Sequence, residues 1–198
     1  MDDDRVRRRI VESAFAEFAD RGYAATSTAD IAARARVSKR ELYALVGNKQ
    51  SMLIAGISER AKRFHLPADP PAVRDRKTLK SVLVAFGIQL VREVTDPAVI
   101  SAFRLAIAES PHVPEVADAL DSIAREASRS ALRSILDEAK KSGLLSGRSY
   151  ELAELFRALL LGDLLVNLLL GVSKRPNARE IAKRADFAAT AFLQLFLS

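Results

Sequence analysis

The sequence predicts an all-α protein in two parts, a small N-terminal helical domain over residues 1–66 and a larger helical domain over 67–198. Three observations lead there. Ala, Leu, Arg and Glu dominate a chain that has no Trp and few other aromatics, and straight-chain residues lose little rotamer freedom in a helix. Apolar residues recur at helical spacing, while strand-like alternation of β-branched residues is hard to find. The pattern breaks once decisively, at Leu66-Pro67-Ala68-Asp69-Pro70-Pro71, where three prolines in five residues stop any helix.

The elements follow in order from caps and breakers. A first helix over about 3–21 carries Val6, Ile10, Val11, Ala14, Phe15 and Phe18 on one face, with Asp2 to Asp4 favoured at its positive end and Gly22 to stop it. Ser27 opens a second, short helix, with Asp30 three residues on. Ser38 opens a third, and Ser38-Lys39-Arg40-Glu41 has capping-box spacing: the Ser oxygen takes the Glu41 amide and the Glu carboxylate returns to the Ser amide. Asn48 caps a fourth over Lys49 to Phe64, with Leu53, Ile57, Ala61 and Phe64 inward. Beyond the prolines come five longer helices at about 76–95, 97–110, 114–142, 149–172 and 178–197. The 149–172 helix is apolar almost all round, so it needs cover on every side, and pairing with a second copy supplies it.

Charge points toward a partner. The chain carries a formal +6, and residues 1–65 hold 13 Lys/Arg against 9 Asp/Glu. That bias suits a polyanion. Absence of Cys excludes disulfides and thiolate metal sites and fits a reducing cytoplasm. His65 and His112, the two histidines, have no partner ligands at metal spacing, so no metal or other cofactor is expected. The charged start, Met1 to Arg5, lacks a signal peptide's apolar stretch. The apolar run Ala158–Val172, interrupted by Asp163 and Asn167, falls short of the ~20 residues a membrane helix needs.

Thr26 to Val46 has the parts of a helix-turn-helix, whose second helix enters the DNA major groove. Ala32, Ala35 and Val37 are small enough for two short helices to pack closely, and Leu42 and Leu45 face inward. Lys39, Arg40, Tyr43 and Ala44 remain on the outer face just after Ser38. Arg can bond both O6 and N7 of guanine. Arg7-Arg8-Arg9 suits either flanking phosphates or a solvated helix face.

The run Ile10 to Tyr23, together with Thr26-Ser27-Thr28, Asp30-Ile31-Ala32, Val37-Ser38-Lys39, Leu42-Tyr43 and Asn48-Lys49, resembles the N-terminal signature of the TetR family over about residues 6–60. The resemblance implies three helices plus a linker helix that relays an effector's state, and phosphate contacts from the Thr26–Thr28 turn, Tyr43 and Lys49. The DNA-contacting set is therefore Thr26, Ser27, Thr28, Ser38, Lys39, Arg40, Tyr43 and Lys49. Phe103 to Glu109 followed by Pro114-Glu115 resembles the AefR-like effector domains. Three positions depart from the family pattern: Arg36 stands where Gly is common, Arg40-Glu41 where a small residue and Thr are usual, and Leu45-Val46 where Tyr-Phe is common. The capping box assigns Glu41 a structural role rather than base reading.

The resemblance also implies an α-helical ligand pocket and a dimer interface from the last two long helices. Phe86, Gln89, Phe103, Ile107 and Phe156 can line the pocket or serve as ordinary core. Asp163 and Asn167, with Leu164 and Leu168, can bond across a dimer or anchor a polar part of a ligand. No Gly-rich phosphate loop, nucleophile elbow or Cys nucleophile appears, which argues against an enzyme. The expected protein is a cytoplasmic, nucleoid-associated transcriptional regulator: a ligand-responsive repressor binding a palindromic operator in double-stranded DNA as a homodimer, with a small-molecule effector. The alternative is a dimeric helical interaction protein with a vestigial DNA-binding head.

Overall fold

A computed structural model of the chain describes residues 2–62, 73–109 and 126–196. Both histidines, the proline run and the first part of the expected 114–142 helix lie outside them. Ten helices are formed among the described residues: α1 Asp2–Arg21, α2 Thr28–Ala35, α3 Lys39–Leu45, α4 Lys49–Lys62, α5 Arg76–Val94, α6 Pro97–Glu109, α7 Glu126–Lys141, α8 Ser149–Leu161, α9 Leu164–Leu170 and α10 Ala178–Phe196. No described helix is long and apolar enough to cross a membrane.

The chain divides into two compact units, Met1–Arg63 with Pro97–Arg125, and Phe64–Asp96 with Glu126–Ser198. In the first, the α1 stripe of Val6, Ile10, Ala14, Phe15 and Phe18 is buried against Ile31, Ala32 and Ala35 of α2, Leu42 of α3, and Met52 and Leu53 of α4. Each fully buried Ile or Leu contributes about 1.5–3 kcal/mol. α4 comes close enough to α1 that a Cβ added at Gly56 would stand 2.7 Å from Phe15 Cδ2. α6 joins this core through Ala102 and Ala106, with Phe103 and Leu105 packed at its edge. The sequence reading placed that segment with the C-terminal helices. Apolar spacing gave its helical form but does not specify its packing partner.

In the second unit α10 packs on α5 and α8, and α7 packs on α8. Phe86 of α5, Phe156 of α8 and Phe192 of α10 form its aromatic centre. Their ring centroids are 6.2 Å apart for Phe86–Phe156 and 5.6 Å for Phe156–Phe192, the latter edge to face, a preferred arrangement for the ring quadrupoles. The helix expected over 149–172 is two helices. Gly162 breaks it with φ 45° and ψ −131°, a conformation that a side chain disfavours. Arg184 Nη1 donates to the Leu160 and Leu161 carbonyls at 3.1 and 3.3 Å, closing the end of α8.

Candidate nucleic-acid interface

The geometry of α2 and α3 is set by short-range polar bonds. Ser27 Oγ accepts from the Asp30 amide, and Asp30 accepts from the Ser27 amide, a complete capping box at the head of α2. The Asp30 carboxyl is held below its ordinary value, first by the Ser27 hydroxyl, then by the Ser27 amide and the Arg21 charge. α2 ends in Arg36 at φ 53°, ψ 51°, the only described non-Gly residue with positive φ. Its amide bonds the Ala33 carbonyl while the Val37 amide reaches Ala32, the Schellman closure that Gly usually provides. A side chain in this conformation costs about 1–2 kcal/mol.

Ser38 then caps α3, its hydroxyl accepting from the Glu41 amide at 3.1 Å. The reciprocal half of the expected box is absent. Folding a Glu side chain back over the helix end costs rotamer freedom, and here the carboxylate stays exposed with no partner among the described residues. Leu42 is fully buried and fixes the rotation of α3. At about 100° per residue, Arg40 and Ala44, two positions either side of Leu42, lie on the opposite face. Tyr43 and Glu41, one position either side, lie on opposite flanks.

The eight residues singled out as DNA contacts divide by what holds them. Lys39 and Arg40 are exposed, and their side chains have no partner among the described residues. Tyr43 is 51% exposed, its hydroxyl 3.3 Å from the Thr28 hydroxyl, so α3 and the first residue of α2 present two hydroxyls side by side. Ser27 and Ser38 are exposed helix caps. Thr26 is different: it is 2% exposed, and its hydroxyl donates to the Gly22 carbonyl at 2.8 Å and the Glu17 carbonyl at 3.2 Å. Its side chain ties the turn to α1 rather than facing outward. Lys49 Nζ donates to the Tyr23 carbonyl at 2.6 Å and sits 4.4 Å from the centroid of the Tyr23 ring, a cation–π contact that anchors α4 to the turn before α2.

Sequence reading missed the braces behind this surface. Arg9 Nε donates to the Ala35 carbonyl at 2.7 Å, securing the end of α2. Arg34 reaches Asp20 at 2.9 Å and Glu17 at 3.0 Å on α1, and those two bonds raise its pKa. Arg7 pairs with Glu59 at 3.4 Å. Arg8 remains exposed. Of the arginine run, two members thus hold helices together. No sequence spacing announces such pairs, because their partners lie 26 or more residues away except for Arg34.

The pocket candidates fall in two different units. Phe86 and Phe156 are core, and Gln89 is half-buried in the second unit. Phe103 packs on the first unit's core and Ile107 is 59% exposed there, so the five are divided between the two units. Leu164 and Leu168 are buried within their own unit. Asp163 is exposed before α9 without a side-chain capping bond, and the Asn167 carbonyl accepts from Gly171 and Val172 near its end. Large apolar side chains do stand exposed nearby: Leu155, Val166, Leu170, Val172, Phe187 and Leu195. Phe187 also lines an open groove of about 480 Å³, with Leu159, Leu164, Pro176, Glu180, Lys183 and Arg184.

Comparison with known proteins finds two family models that match the chain. Residues 10–55 match the family model of the bacterial regulatory proteins of the tetR family, and residues 81–196 match that of the AefR-like transcriptional repressor C-terminal domain. Similar solved structures include a TetR transcriptional regulator from Agrobacterium tumefaciens, 25% identical, with 97% of this chain and 95% of that one covered at a TM-score of 0.83. The flavonoid-responsive regulator FrrA is 25% identical, with 98% of each chain covered at a TM-score of 0.76. A TetR-family transcriptional regulator from Pseudomonas syringae pv. tomato is 26% identical, with 96% of each covered at a TM-score of 0.71. No curated protein matches in sequence.

Proposed function

The chain belongs to the TetR family of bacterial transcriptional regulators, and on that premise we propose that it is a ligand-responsive repressor whose homodimer grips a palindromic operator through α3. As a family member it is a DNA-binding regulator and not an enzyme. The observation that carries the finer reading is the outward face of α3. Arg40 is exposed there beside the small Ala44, opposite the fully buried Leu42, with Lys39 and Tyr43 toward one flank. A long bidentate donor over a small residue can reach guanine O6 and N7 without a steric block. Lys39 and the Thr28–Tyr43 hydroxyl pair suit phosphate oxygens, which position the helix without reading sequence.

The exposed Leu155, Val166, Leu170, Phe187 and Leu195 support dimerisation, since apolar patches of this kind on a soluble chain mark interaction surfaces. In place of Leu164 and Leu168, which are buried in their own chain, these residues would meet the second copy. Two α3 helices set one helical turn apart, about 34–36 Å, would then read an inverted repeat in the cytoplasm, where the chromosome lies. A relative named for its response to flavonoids supports a small-molecule effector here. Such an effector acts only through different affinities for two conformers, a coupling of typically ~1–3 kcal/mol.

Selection of bound fragments from random DNA at about 0.15 M salt tests the reading. A short inverted repeat is the expected product; weak, sequence-blind binding would favour a vestigial head. On the selected site, Arg40→Ala is expected to cost roughly 1–3 kcal/mol and to relax preference at one base pair. Unchanged preference in that variant removes Arg40 from the readout.

A further inference from the structure

The exposed carboxylate of Glu41 is unexplained by the fold. Its amide, not its side chain, engages the Ser38 cap by donating to the hydroxyl, and no described residue pairs with the carboxylate. It stands on the flank of α3 opposite Tyr43, next to the outward face held by Arg40 and Ala44. Tyr43's flank is the one joined to α2 through Thr28.

A carboxylate carried toward a polyanion is repelled by every phosphate it nears, the more so as solvent is excluded. It is tolerated on a DNA-facing helix where the groove offers it a hydrogen-bond donor. The major groove presents two such donors, the N4 amino group of cytosine and the N6 amino group of adenine. Adenine sets its N7 acceptor directly beside N6, which opposes a second negative oxygen. Cytosine has no acceptor there. We propose that Glu41 is a second specificity-determining residue of α3, its carboxylate accepting from the N4 amino group of an operator cytosine next to the base pair read by Arg40.

This rests on the operator-binding reading above, and it adds a sign to that reading. Arg40 supplies donors and Glu41 supplies acceptors, so the two read bases of opposite hydrogen-bond character. Glu41 also weakens binding to DNA that lacks the cytosine, because there its charge meets only repulsion. It therefore sharpens discrimination from both sides.

The test compares the full-length wild-type protein with Glu41→Gln and Glu41→Ala by selection from random DNA, followed by competition on the selected site and its single-base variants. Gln keeps the Ser38 cap, since that bond uses the backbone amide, and thermal unfolding of both variants checks the fold. Gln offers a donor and an acceptor to adenine N7 and N6, so Glu41→Gln is expected to move one position in each half-site from cytosine to adenine. Glu41→Ala is expected to lose roughly tenfold discrimination at that position and to bind non-operator DNA more tightly. If wild type selects an inverted repeat and both variants select the same bases at every position, Glu41 is not a reader and the proposal falls while the regulator reading stands. If wild type selects no sequence, the regulator reading fails and this proposal fails with it.

Discussion

The two units of the chain use their side chains in contrasting ways. In the first, polar groups close nearly every junction: Ser27 with Asp30, Arg9 on the Ala35 carbonyl, Arg34 across Glu17 and Asp20, and Lys49 on Tyr23. Apart from the small Ala44, what it leaves outward on α3 is charged or hydroxylic. The second unit has an aromatic centre and a surface on which Leu155, Val166, Leu170, Phe187 and Leu195 stand exposed. On the reading proposed above, the first unit lacks a polyanion and the second an apolar partner. A regulator divides its labour in that way, and each half of the contrast can be broken by mutation.

The largest effect is expected at the aromatic centre. Phe156 is fully buried and touches both Phe86 and Phe192 in ring-to-ring geometry. Phe156→Ala removes that middle ring and is expected to cost about 3–5 kcal/mol in denaturant unfolding. A cost well below that range would mean that the trio is not the unit's core. In the first unit the matching weak point is steric. A methyl at Gly56 would sit 2.7 Å from the Phe15 ring, and Phe15 is itself buried among its neighbours. Gly56→Ala is expected to destabilise by about 1–3 kcal/mol through overpacking, despite the better helix propensity of Ala. Stabilisation instead would show that α1 and α4 have room to part.

These two sites also mark what was legible beforehand. The apolar stripe of α1 and the Ser27, Gly22 and Ser38 boundaries depend on a few adjacent residues, and all stand in the structure where spacing places them. The left-handed turn at Arg36 was legible only through the family pattern, which commonly has Gly there, since Arg itself gives no sign of positive φ. Lys49 was not: its partner Tyr23 lies 26 positions back, and nothing in local spacing distinguishes a bridging Lys from a phosphate-facing one. Gly162 was lost inside an apolar run, where hydrophobicity hides a backbone break. Phe103 read as apolar, but apolarity alone does not say which core receives it. Ser38 and Glu41 have the spacing of a reciprocal box, yet only the half that leaves the Glu side chain free is formed.

The smallest effect compares the units at equal chemistry, since each contains a complete capping box built with an Asp. Asp30 is the returning carboxylate of the α2 box, and Asp75 is the capping residue of α5, bonded to the Thr78 amide at 2.7 Å. Both pKa values are lowered: Asp30 by the Ser27 hydroxyl first, Asp75 by the Thr78 amide first. A carboxyl whose folded pKa is depressed favours the native state above its unfolded pKa, and that contribution disappears as pH falls through the folded value. Stability is therefore expected to hold from neutrality to mild acid with respect to these groups and to decline once pH drops into and below the ordinary carboxylate range. Asn caps a helix about as well as Asp but does not titrate there. Asp75→Asn should thus keep the α5 cap while flattening the acid limb, and Asp30→Asn, which leaves the Ser27 cap in place, should remove the titrating group from the α2 box. The Asp30 and Thr78 amide resonances, followed by NMR from neutral to acid pH, report the two boxes separately. If both shift in the same low range, the units share their capping chemistry and differ in their outer faces alone. If only the Thr78 amide responds, the Ser27 hydroxyl holds α2 without help from charge, and the acid sensitivity belongs to the second unit.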